Sequence, residues 1–188
     1  MGAFIFATKN VNTAKAADVL KSRGHKHGSV DNFNGCTLVH APKILVDNVN
    51  YLSSTDLGVD NNDFICGIGT FFYKNTYGKE ALKHVYDDLD KVLDHNPIFG
   101  HWAFVVRKGG TTYVFYDMSG TLRLYYYEDG DNIIISSSIV SVIACYCRNI
   151  GKANSVVKHI SLPPFVYLQI GNRGFCCPDK TLICTRFI

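Results

Sequence analysis

No stretch of this sequence approaches the apolar length of a membrane-spanning helix. Its opening, Met1-Gly2-Ala3-Phe4-Ile5-Phe6, has neither a basic leader nor the Ser/Thr of a myristoylation signal. A soluble, cytoplasmic protein without a membrane partner is expected. Charge is sparse as well: charged residues make up 19% of the chain and the formal net charge is +3. Lys and Arg are scattered from Lys9 to Arg186 without the stripe that tracks a phosphate backbone, so nucleic acid is not an expected partner. The seven cysteines (Cys36, Cys66, Cys145, Cys147, Cys176, Cys177 and Cys184) are odd in number and lack the gap of a zinc knuckle or redox pair, which points to reduced, mostly buried thiols. There is no phosphate-loop motif, and Gly67-x-Gly69 lacks the third glycine and following helix of a dinucleotide site. His25-Lys26-His27 has no obvious third ligand and reads as a solvated loop. No metal and no cofactor are expected.

What the sequence has is apolar residues, 47% of 188, enough for one domain over 1–188 with its own core. Ala3 to Thr8 reads as a strand. A helix follows, capped by Asn12 or Thr13, with Ala16, Val19, Leu20 and Arg23 at helical spacing before Gly24. Cys36 to His40 and Ile44 to Val46 read as short strands broken by Pro42, Asp47 to Asn62 as a long loop, and Phe64 to Tyr73 as a strand. Ala81, Leu82, Val85, Leu89, Val92 and Leu93 predict one amphipathic helix over Lys79 to Asp94, with Asp87, Asp88, Asp90 and Asp94 beside Lys83 and Lys91 on its wet face. His101 to Arg107 and Thr111 to Tyr116 form a hairpin across Lys108-Gly109-Gly110. Strands at Leu122 to Tyr127 and Asn132 to Ser136 continue it as a meander. A helix over Ser138 to Cys147 and further strands over Val156 to Arg186 complete the chain.

Along the first meander strand, Trp102, Phe104 and Val106 point one way and Ala103 and Val105 the other, so both faces are apolar and both need covering. Antiparallel sheets usually keep one wet face. A sheet buried on both sides predicts an α+β fold in which a second sheet covers one face and helices the other, a four-layer α/β/β/α sandwich. The aromatic run Tyr125-Tyr126-Tyr127 reads as part of that core rather than as a stacking surface.

Several short motifs occur in a familiar order. Gly100-His101-Trp102-Ala103-Phe104, Asp117-Met118-Ser119-Gly120 and Leu124-Tyr125-Tyr126 resemble Gly-x-Phe-Ala-Phe followed by Arg-Asp-x-x-Gly-x-x-Pro-Leu-Tyr-Tyr. Ile135 to Ile139 resembles Phe-Ala-Ser-Glu-Ile, and Leu162-Pro163-Pro164 resembles Leu-Pro-Pro-Gly. Leu20 to Gly24 resembles Leu-x-x-Arg-Gly, and Leu38 to Asp47 aligns without gaps to Leu-x-His-x-Arg-Leu-x-Ile-x-Asp. Together they resemble the amino-terminal class II glutamine amidotransferase domain of asparagine synthetase-type enzymes, over nearly the whole chain. The resemblance implies an amino-terminal-nucleophile (Ntn) hydrolase-like fold, in agreement with the layer argument.

The same resemblance implies that the chemistry is gone. Active members attack the glutamine amide with a Cys directly after the initiator Met, its own α-amino group acting as base; here that residue is Gly2. The family arginine that clamps the glutamine α-carboxylate falls on Pro42, which has neither charge nor backbone donor. The Asn-Gly-Glu segment that supplies an oxyanion donor lies near Gly67-Ile68-Gly69, and the Asp that holds the substrate ammonium lies near Lys79. The expected function is a catalytically inactive glutaminase-like domain, a scaffold or interaction subunit. Its expected partner is an ATP-dependent, asparagine synthetase-like ATP-pyrophosphatase, whose Ser-Gly-Gly-x-Asp-Ser loop does not occur in this chain. Either the chain is a fragment of a longer synthetase or its partner is encoded separately. Two alternatives stand beside this: an active glutaminase in which Gly2 has replaced a natural Cys, and a pseudoenzyme that binds another small molecule.

Overall fold

A computed structural model describes residues 2–8, 11, 13–25, 29–33, 35–42, 50–59, 61–95, 97–117, 119–129, 132–146, 158–161, 168–171, 174–176 and 183–185. In chain order the elements begin β1 (Ala3–Thr8), α1 (Ala14–Ser22), β2 (Ser29–Phe33), β3 (Cys36–Ala41), β4 (Tyr51–Leu52), α2 (Ser54–Leu57) and β5 (Phe64–Phe72). There follow α3 (Gly78–Asp87), α4 (Leu89–His95), β6 (Phe99–Lys108), β7 (Thr111–Tyr116), β8 (Leu124–Asp129), β9 (Asn132–Ser136) and α5 (Ile139–Tyr146). The last strands are β10 (Lys158–Ser161), β11 (Leu168–Gly171), β12 (Gly174–Cys176) and β13 (Ile183–Thr185). They form two compact units, one of residues 1–46, 123–161 and 183–188, the other of residues 47–122 and 162–182.

The first unit is built on an antiparallel sheet in the order β13-β10-β8-β9-β1-β3-β2. Every residue from Ala3 to Ala7 is buried, as a central strand apolar on both faces requires. Ala3, Ile5 and Ala7 project to the face where Ala16 and Leu20 of α1 and Val142 of α5 pack; small alanines let the helices approach closely. On the opposite face Phe4, Phe6, Leu38, Tyr126, Ile133 and Ile135 are also buried. Thr13 holds the N-cap of α1 without a side-chain bond to the helix.

The second unit is built on a sheet in the order β12-β11-β7-β6-β5-β4. Its helix-covered face carries Ile65, Phe71, Trp102, Phe104, Val106 and Phe115 against Ala81, Leu82, Val85, Leu89 and Val92. The Trp102 and Phe71 rings each lie 4.9 Å from that of Phe104. Full burial of each such side chain stabilises the fold by about 1.5–3 kcal/mol. Phe64, Cys66, Ile68, Ala103, Val105 and Val114 are buried on the other face, so this sheet is apolar on both sides, as the alternation in β6 predicts. The β6–β7 hairpin forms as expected, with Gly109 and Gly110 at φ 58° and 83°, a turn open to glycine at little cost.

Three expectations need correction, and one strand is added to them. The strands after the hairpin do not extend it as a meander: β8 and β9 belong to the other sheet, where β9 pairs with β1. The single helix of Lys79 to Asp94 is two, α3 and α4, broken at Asp88. Asp88 leaves helical geometry at φ −96° and ψ 24°, and its carboxylate accepts from the Tyr73 hydroxyl at 3.1 Å and pairs with Lys74. The long loop contains β4 and α2, the latter started by a capping box in which Ser53 and Asp56 bond reciprocally. Edge strand β2 was not foreseen, because its Ser-Val-Asp-Asn-Phe is mostly exposed and shows little apolar alternation. The expected Ile44 to Val46 strand and the Pro163-Pro164 break lie outside the described residues.

Candidate functional site

Strand pairing brings two of the five predicted positions together. In the β1–β3 ladder Ala3 faces Ala41, so the residues that flank this last pair are Gly2 and Pro42. Gly2 is buried and Pro42 half-buried. A proline there suits the end of a ladder, because it has no N–H to extend it. The corner therefore holds no thiol, no hydroxyl and no charge of its own from either residue.

The neighbouring hydroxyls are committed to backbone. Ser136 donates to the Phe4 carbonyl at 2.8 Å, and Ser137 Oγ accepts from the Phe4 N–H at 3.3 Å. Ser138 caps α5 by accepting from the Ser141 N–H at 3.4 Å. Thus Ser136-Ser137-Ser138, aligned with the family's Ala-Ser-Glu, fastens β1 and starts a helix. Nor does Cys36 stand in for Gly2. Cys36 faces Thr8 at the far end of β1, about 20 Å along the strand at roughly 3.4 Å per residue. Burial pushes the Cys145 thiol up to about 12, so it stays neutral. On β3, His40 Nε2 lies 3.1 Å from Asp31 Oδ2. Burial lowers the His40 pKa by more than Asp31 raises it, so near neutral pH this contact is a hydrogen bond from an uncharged imidazole rather than an ion pair.

The second unit holds the other three positions. Gly67 and Ile68 are successive residues in the interior of β5, not in a loop, and therefore point to opposite faces of the sheet. Side chains at these two positions face different surroundings. Gly67 lies on the helix side: a Cβ there would come within 2.5 Å of Phe104 Cε1 and 3.1 Å of Leu82 Cδ2. Its want of a side chain is thereby explained by packing alone. Ile68 is buried on the other face. Lys79 stands in the first turn of α3 and meets Asp56 Oδ1 at 3.0 Å, a partly exposed pair that ties α3 to α2.

Two buried carboxylates in this unit escaped notice as side chains. Asp63 accepts from the Tyr86 hydroxyl at 2.6 Å and from the Gly109 N–H at 3.1 Å to each oxygen, pinning the hairpin turn to α3. Burial, with Asp63 second, raises the Tyr86 pKa. Lys108 then donates to the carbonyls of Tyr86 and Asp87 at the end of α3. Asp117 accepts from the Trp102 N–H at 3.1 Å, the Ser119 N–H at 2.9 Å and the Ser119 hydroxyl. His101 Nδ1 lies 3.4 Å from Ser119 Oγ, but the Ser119 proton is directed at Asp117, so His101 does not activate a nucleophile there. The Asp-x-Ser-Gly signal had marked this turn without showing that its carboxylate was buried. Among the described residues no group of three or more His, Cys, Asp or Glu side chains is arranged to hold a metal ion. No helix of the described residues is long and apolar enough to cross a membrane.

No family profile and no curated protein matches the sequence. Solved structures do match. One is the glutamine phosphoribosylpyrophosphate amidotransferase of B. subtilis complexed with ADP and GMP, 13% identical with a TM-score of 0.65, over 97% of this chain and 50% of that one. Another, described as the allosteric regulatory enzyme of purine biosynthesis, is 12% identical with a TM-score of 0.60, over 94% of this chain and 48% of that one. The chain spans about half the length of these structures. Mixed helices and antiparallel sheets, together with the likeness to these structures, give the chain an Ntn-hydrolase-like fold.

Proposed function

We propose that this glutamine amidotransferase-like domain is catalytically inactive and serves as a scaffold or interaction subunit for an ATP-dependent, asparagine synthetase-like amide-forming partner. The observation that carries the reading is the corner where Gly2 and Pro42 flank the last pair of the β1–β3 ladder. On this reading it corresponds to the family's nucleophile and carboxylate clamp. Neither residue has an atom to attack an amide or a charge to hold a carboxylate. The four-layer α/β/β/α arrangement belongs to the same proposal. Incubation with glutamine is expected to release no ammonia above a protein-free blank, and turnover at any multiple of that blank would overturn the reading. Gly2→Cys is expected to stay inactive because the carboxylate clamp is still missing; recovered activity would mean an enzyme disarmed at one position. A protein bearing the Ser-Gly-Gly-x-Asp-Ser loop and encoded beside this one is expected to co-elute with it in gel filtration, and independent elution would count against the scaffold role.

A further inference from the structure

We draw no further inference here: the strongest candidate, the exposed aromatic patch of Phe72, Tyr77 and Phe99 around one end of the β5–β6 pair, carries nothing because no feature of the structure shows what covers it.

Discussion

A Cβ at residue 67 would stand 2.5 Å from the Phe104 ring, and the ring is held by Trp102, Phe71 and Phe115. Gly67→Ala is therefore expected to destabilise the protein by about 1–3 kcal/mol, the usual penalty of an overpacked core. In a Phe104→Leu background the same change should cost less, a coupling that chemical denaturation of the four variants measures. Tyr86→Phe is expected to cost about 1–3 kcal/mol, because it removes one donor from a buried carboxylate. His40 makes a pH prediction. Its folded pKa lies below the ordinary value, so the folded state binds protons less readily than the unfolded one. This stability is complete above about pH 6.5 and is lost as pH falls through the folded pKa. A urea midpoint that declines below that pH in the wild type, and declines less in His40→Gln, is the expected result. The strand over Phe64 to Tyr73, and with it the opposite facing of residues 67 and 68, was legible in the sequence; the closeness of Phe104 and Leu82 to residue 67 was not, because it depends on packing against β6 and α3.

At the level of elements, periodicity revealed what was apolar and hid what was polar. The hairpin and the two-faced burial of β6 were legible from alternation and paired glycines. The break at Asp88 was not, because the apolar spacing runs on unbroken from Ala81 to Leu93 and the partners of Asp88, Tyr73 and Lys74, lie outside the helix. The start of α2 was visible in principle as Ser53-Ser54-Thr55-Asp56, yet a four-residue helix has no apolar period to accompany its cap. Ser53→Ala is expected to weaken that turn by about 1 kcal/mol, seen as faster amide hydrogen exchange from Asp56 to Gly58 with little change in global stability.

Across the whole molecule, burial on both faces anticipated the fold class better than local order anticipated its topology. Nearness in sequence favoured a meander after β7. Instead β9 pairs with β1, joining Phe4 to Ser137 across 133 residues. That pairing has a consequence for a chain made on a ribosome. Strand β1 is made shortly before its partner β3, but its other edge, bearing Ala-Phe-Ile-Phe-Ala, waits until β9 has been synthesised. Meanwhile β4 to β7 emerge in sequence and pair with near neighbours. Translation thus leaves a sticky open edge on β1 while a later segment completes most of its sheet, which makes premature termination after residue 122 a recipe for aggregation rather than for a smaller folded product.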